Sequence, residues 1–227
     1  MALSFHPESL PVVRTDGHLP AVPRDRLAAD WLTRRFLTPP EWTPEIVAER
    51  RFNVRSPAPA AVLIPLVQRA EPMVLLTRRS DHLHDHPGQV SFPGGRVDPG
   101  DADAVATALR EAEEEIGLQA RFIQVLGRLP LYTTSTGFEV TPVVALVDPG
   151  FELVLDTFEV AEVFEVPLSF LMTPAHHRWH AVEFDGVRRE FLSMPWDGHG
   201  SESDARRFFI WGATAAMLRN FYRFLAA

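Results

Sequence analysis

Gly94-Gly95-Arg96-Val97-Asp98-Pro99-Gly100-Asp101, followed after eight residues by Arg110-Glu111-Ala112-Glu113-Glu114-Glu115-Ile116-Gly117-Leu118, is the stretch on which the reading of this chain turns. At roughly 100° per residue, Val105, Leu109, Ala112 and Ile116 fall within about 60° of one another and predict the buried face of a helix. Glu114, Glu111 and Glu115 fall on a neighbouring stripe, at roughly 180°, 240° and 280° from Val105, with Glu113 on the other flank. Like charges three and four residues apart repel by a few tenths of a kcal/mol per pair. Gly117 is a natural residue to follow a helix end, so these acids also face the negative pole of the dipole, at about 0.3–1 kcal/mol each. A bound divalent cation reverses the sign of every one of these terms, and hard oxygen donors suit Mg²⁺ or Mn²⁺. A plain solvated acidic face leaves the glycine turn and the placement of Arg110 without a reason. The helix reads as metal-binding.

The spacing resembles the signature of the Nudix hydrolases: Gly, five residues, Glu, seven residues, then Arg-Glu-apolar-x-Glu-Glu-x-Gly-apolar. Gly95 opens it; Arg110, Glu111, Glu114, Glu115 and Gly117 close it; Ala112 and Leu118 take apolar positions. Asp101 stands where the family has Glu, and eight residues rather than seven separate it from Arg110. Upstream, Leu75-Leu76-Thr77-Arg78-Arg79-Ser80 and Gly88-Gln89-Val90-Ser91-Phe92-Pro93-Gly94-Gly95 resemble the second signature of the coenzyme A diphosphatase branch. That branch also carries the Asp and the one-residue insertion.

The chain has 227 residues, 46% of them apolar and 23% charged, ordinary figures for one globular domain with an extension. The reading divides it into an N-terminal extension, 1–55, carrying one helix packed on the core, and a Nudix domain, 56–227, with the signature at 94–118. A net charge of −8 gives no basic footprint, so nucleic acid is not an expected partner. Cysteine is absent, which excludes disulfides, zinc–thiolate sites and thiol nucleophiles. No apolar run approaches a membrane span of about 18 residues, and no basic-then-apolar leader opens the sequence, so a cytoplasmic location away from membranes is expected. Assembly as a homodimer is left open.

Residues 1–24 carry scattered prolines without period and predict an extended or loosely packed arm. Asp25 to Phe36 has helical spacing, stopped by Thr38-Pro39-Pro40. Ala60–Val67 and Met73–Thr77 read as a buried strand pair, Gln89–Phe92 as a short strand, and Phe122–Leu131 and Val140–Val147 as strands flanking a polar loop. Pro167–Met172 suggests a helical turn. Trp179–Phe184 and Val187–Leu192 alternate around Asp185-Gly186, a hairpin signal. Arg207–Trp211 reads as a strand, and Ala213–Leu225 as a closing amphipathic helix burying Met217, Leu218, Phe221 and Phe224. Mixed strands with helices on either side predict an α+β fold, a three-layer α/β/α sandwich with a mixed sheet, which is also the Nudix fold.

The resemblance implies hydrolysis of a small-molecule diphosphate, and within it the residues divide by role. Glu111 and Glu115, one helical turn apart, are the principal expected ligands of Mg²⁺ or Mn²⁺, with Glu114 as an additional ligand. Arg110, four residues before Glu114, is expected to orient that carboxylate. Gly94 and Gly95 let the backbone turn tightly beside the helix. Arg78, Arg79 and Arg96 are candidate phosphate contacts, because the guanidinium fork matches phosphate oxygens. Glu162 and Glu159 are candidate general bases, with Glu162 preferred; each reads equally well as a plain loop acid. His82, His84 and His86 alternate in a loop but lack further spaced ligands, and Asp98, Asp101 and Asp103 lack the glycine and terminal Glu of a calcium loop. The substrate implied is coenzyme A or a thioester of it, cleaved to 3′,5′-ADP and a 4′-phosphopantetheine product. The alternatives are another nucleoside diphosphate derivative (ADP-ribose, a dinucleotide or a nucleotide cap) and a non-catalytic ligand-binding module.

Overall fold

The computed structural model describes residues 6–49, 57–184, 186–198 and 207–227. Its axis is a pair of long strands, β2 (Ala58–Gln68) and β8 (Phe138–Val147), which run parallel from Ala58↔Phe138 to Val67↔Val147. The near-continuous apolar run Ala60–Val67 suits a strand covered on both faces. Leu63 and Val67 turn to one face and Ile64 and Leu66 to the other, as a two-residue period requires.

Around this pair lie β3 (Pro72–Arg79), β4 (Val90–Ser91), β5 (Gly94–Arg96), β6 (Ile123–Arg128), β7 (Tyr132–Thr133) and β9 (Val160–Pro167). The order is β4-β3-β2-β8-β6, with β5 beside β2, β7 beside β8 and β9 beside β3. β2 and β3 pair only at Leu66–Gln68. Farther along, β3 takes β4 at Thr77–Arg78, and β2 takes β5 at Ala60–Val62. The segment 90–96 is therefore wedged between two splayed strands, which brings Gly94 and Gly95 to the open end of the sheet.

Helix α2 (Ala104–Ile116) covers one face, packing Ala108, Ala112 and Ile116 against Leu63, Leu75 and Val143. The opposite face carries α1 (Ala29–Leu37), the single turn α3 (Leu168–Leu171) and α4 (Gly212–Ala226), with Leu32, Leu168 and Phe221 in one core with Ile64, Val74 and Val144. The expected three-layer α+β sandwich with a mixed sheet is thus present.

A second sheet completes that layer, in the order β1 (Val12–Thr15), β10 (Arg178–Phe184), β11 (Val187–Asp197), β12 (Arg207–Trp211). The expected hairpin joins β10 to β11 in the register Phe184↔Val187; Gly186 takes φ of 67°, and Asp185 lies outside the described residues. Among the described residues no helix is long and apolar enough to cross a membrane.

Several expectations need correction. Residues 11–24 are not a loose arm: β1 pairs with β10, and Asp16 and Val22 are buried. Residues 1–5 and the expected boundary at residue 55 lie outside the described residues. The helix expected over Asp25–Phe36 is a 3₁₀ turn, Arg24–Leu27, followed by α1. Helix α4 is not amphipathic in effect, since Thr214 to Tyr222 are all buried, Arg219 and Asn220 included. The segment 44–49 crosses its polar side, where Asn220 accepts from the backbone N–H groups of Glu45 and Ile46 and Arg219 forks onto Glu45. Polar residues that pattern alone assigns to solvent are satisfied here by chain from far away in sequence.

Candidate active site

Helix α2 begins where Asp103 caps it, its carboxylate accepting from the N–H groups of Val105 and Ala106 at 2.9 Å. It ends at Gly117, whose φ of 70° closes the last turn back onto Ala112 and Glu113. The buried stripe differs from the expected one. Thr107, Ala108, Ala112, Glu115 and Ile116 are inside, whereas Val105 and Leu109 are only half-buried. The helix is rotated toward its acids, and Glu115 lies in the sheet-facing surface at 5% exposure.

The glycine pair explains how. A Cβ on Gly94 would stand 2.5 Å from the Ala61 carbonyl, and one on Gly95 would stand 2.5 Å from the Glu111 carboxyl carbon. Bare backbone at both positions lets the wedge sit flush against β2 while the helix lays its carboxylates across it.

Glu115 has sparse compensation. It accepts from the Gly94 N–H at 3.2 Å, and the Arg79 guanidinium stands 4.0 Å away. Burial pushes its carboxyl up to about 8, opposed by Gly94 and Arg79 and reinforced by the negative charges of Glu111 and Glu159. Glu111 is also raised, first by burial and then by Glu114 and Glu159, against the pull of Arg110.

Arg110 spends all five of its N–H donors. Nε and one terminal nitrogen fork onto Asp101 at 3.0 Å, and that terminal nitrogen also reaches the Arg96 carbonyl at 3.0 Å. The other terminal nitrogen meets Glu111 at 2.9 Å and Glu114 at 2.8 Å. Asp101 in turn accepts from the Thr107 hydroxyl and the Asp98 N–H, and the Arg110 guanidinium holds its carboxyl far below the usual range. Sequence reasoning gave Asp101 no role. The available signal was its position, which the family signature fills with an acid.

The remaining candidates divide in two. Glu111 and Glu115 converge on the Gly94–Gly95 backbone, with Arg79 beside them and Glu159 near enough to raise both. The rest are engaged with other partners. Glu114 is exposed and held by Arg110. Arg78 pairs with Asp81 at 2.8 Å and Glu162 at 3.6 Å. Arg96 lies over the Phe138 ring at 5.0 Å. Among the described residues no group of three or more His, Asp and Glu stands as a ready-made metal cage, the histidine loop included.

The Nudix domain signature matches residues 57–191, well over half of the chain. The chain belongs to the Nudix family. This Nudix hydrolase is 45% identical to an uncharacterized Nudix hydrolase NudL of Yersinia enterocolitica, over 74% of its own length and 87% of that protein's. It is 40% identical to the NudL of an Enterobacter species, over 84% and 90% respectively. It is also similar to the solved structure of a Caenorhabditis elegans Ap4A hydrolase binary complex, with 22% identity and a TM-score of 0.43 over 51% of this chain and 85% of that one.

Nudix hydrolases act on small-molecule diphosphates and generally use divalent cations such as Mg²⁺ or Mn²⁺. The acids of this enzyme suit such an ion. Glu115 is a buried carboxylate with one hydrogen bond and one distant cation, next to a second desolvated acid. Carboxylate oxygen is the donor that hard divalent ions prefer.

Proposed function

We propose that this enzyme hydrolyses the diphosphate linkage of coenzyme A or its thioesters, giving 3′,5′-ADP and a 4′-phosphopantetheine product. What carries the reaction class is Glu115, buried and under-compensated beside Glu111 over a backbone without side chains. What supports the substrate is the run from Leu75 to Gly95. Its two resembling segments form the end of β3, then β4 and β5, and so frame those acids.

Glu111 and Glu115 would hold Mg²⁺ or Mn²⁺, with Glu114 contributing once Arg110 yields it. When bound, the cation neutralises the diphosphate and lowers the pKa of coordinated water. The protein does the rest. Arg79, and Arg78 and Arg96 at the flanks, neutralise phosphate oxygens and align the linkage. Water oxygen bonds to one phosphorus, the bond to the bridging oxygen breaks, and the water proton passes to a carboxylate. Glu159 is better suited than Glu162 to accept it. Glu159 is felt by both acids of the pair, whereas Glu162 faces Arg78.

Incubation with coenzyme A, ADP-ribose, dinucleotides and capped nucleotides, with Mg²⁺ or Mn²⁺ and chromatographic product analysis, tests the proposal. Release of 3′,5′-ADP from coenzyme A is expected. Its absence at saturating Mn²⁺ rejects the substrate. A competitor turned over at least about tenfold more efficiently, some 1.4 kcal/mol in the transition state, replaces it.

A further inference from the structure

Phe158 is 66% exposed, and its ring meets that of His82 edge to face at a centroid separation of 4.9 Å and an interplanar angle of 61°. An isolated surface aromatic needs no explanation, but this one is fixed in position. Ser80, itself buried, grips the chain on both sides of it: the Ser80 hydroxyl donates to the Thr157 carbonyl, and the Ser80 N–H to the Glu159 carbonyl. Asp156 accepts from the Phe158 N–H through its carboxylate and from Glu159 and Val160 through its carbonyl. Both neighbours are tied to the end of β3, which fixes the backbone from which the exposed ring projects.

Its surroundings are those of the acidic pair. Ser80 follows Arg79, whose guanidinium is 4.0 Å from Glu115, and Phe158 precedes Glu159, whose charge raises both Glu111 and Glu115. Two exposed rings, on two different loops, are thus carried by chain that lies within three residues of Arg79 and Glu159.

We propose that Phe158 and His82 form a stacking platform for the nucleobase of the substrate. This rests on the nucleoside-diphosphate reading of the acidic site and adds the residues that would recognise its base. A planar base offers a π-face to an aromatic ring whatever its hydrogen-bonding edge. A flexible pantetheine arm has no such face, so the base is the better occupant.

The test uses the full chain with Mg²⁺ and two probes, AMP and ribose 5-phosphate, which carry the same phosphate with and without a base. Dissociation constants come from titration, and ring contact from saturation transfer to the base protons. Wild type is expected to bind AMP at least about fivefold more tightly than ribose 5-phosphate, the lower bound for one stacked base, with saturation strongest on the base. In Phe158→Ala, and in Phe158→Leu, which keeps apolar bulk without a ring, that ratio falls toward one. Phe158→Trp retains it. The proposal is overturned if wild type binds the two probes equally, if the ratio survives both ring deletions, or if Phe158→Ala weakens 4′-phosphopantetheine instead of AMP. The binding assay needs no turnover. Coenzyme A left uncleaved alongside the expected AMP pattern would reject the substrate and leave the platform standing; the converse result would do the reverse.

Discussion

At the scale of single residues, Glu115 has a penalty that metal binding would relieve. Its carboxyl sits at about 8 in the fold against an ordinary 4.5. A group raised in this way contributes stability that is whole below the ordinary value and is lost as pH climbs through the folded one. Metal-free enzyme should therefore lose on the order of 4 kcal/mol between pH 4.5 and 8. Glu115→Gln keeps the volume, removes the titration and should flatten that slope in thermal melts with chelator, while kcat drops by at least about a hundredfold, some 2.7 kcal/mol of barrier. A slope equally steep in the variant would mean that the burial penalty lies elsewhere. Gly95→Ala tests the same spot through space: its methyl would strike the far end of a side chain rather than backbone, so the Glu111 carboxylate should swing aside from its Arg110 contact. Melting should move by less than about 2 °C while activity falls tenfold or more; a destabilised protein with normal kcat would contradict this. For the proton acceptor, Glu159→Gln should reduce kcat by a factor of at least about a hundred, and Glu162→Gln by far less, because its partner is Arg78. Equal losses would leave the base unassigned.

At the scale of elements, the helix was legible and its rotation was not. Apolar spacing located α2 within a residue or two, and Gly117 marked its end. The pattern nevertheless favoured Leu109 over Glu115 as an inside residue, because a wheel weighs side chains by polarity and knows nothing of the bare glycine backbone opposite. The ion-pair cluster was similarly half-visible. The i, i+4 spacing of Arg110 and Glu114 announces one contact, but the fork onto Asp101 depends on the path of the loop, which spacing does not encode. That fork ties the loop after β5 to the helix and fixes the guanidinium that also reaches Glu111 and Glu114. Asp101→Asn should loosen the guanidinium that positions Glu111 and Glu114 and lower metal-dependent activity by about ten- to a hundredfold, as removal of an orienting partner does at metal sites. Asp103→Ala, two residues away, removes only the cap and should cost about 1 kcal/mol of stability, with activity near normal. If the two variants lost activity alike, the loop rather than the fork would be responsible.

At the scale of the molecule, the N-terminal segment and the end of the chain are joined by a buried polar knot, the part of the fold least readable in advance. Arg219 on α4, 2% exposed, meets Asp16 at 3.2 Å and Glu45 at 2.9 Å, and Trp179 of β10 donates to Asp16 at 2.7 Å. More than 170 residues separate Glu45 from Arg219 in the chain, so no local pattern could pair them. His177 closes the knot. One ring nitrogen is 2.8 Å from the Leu171 carbonyl, which accepts, and the other is 3.0 Å from the Arg219 guanidinium, which only donates. That arrangement fits the neutral ring alone. Burial first, and the Arg219 charge as well, push His177 down to about 4 from an ordinary 6.5, although the Leu171 carbonyl pulls the other way. A histidine depressed in the fold takes up its proton more readily when unfolded, so its penalty appears as pH drops below 6.5 and is complete near 4. It should amount to about 3 kcal/mol. Glu115 acts with the opposite slope over part of this range, so the cleanest measurement is made in the Glu115→Gln background, where chemical denaturation between pH 7 and 4 should show a falling limb. Adding His177→Gln, whose amide can donate to Leu171 and accept from Arg219, should lower stability at pH 7 and flatten that limb. An acid limb of undiminished steepness would assign the loss to the carboxylates and leave His177 a spectator.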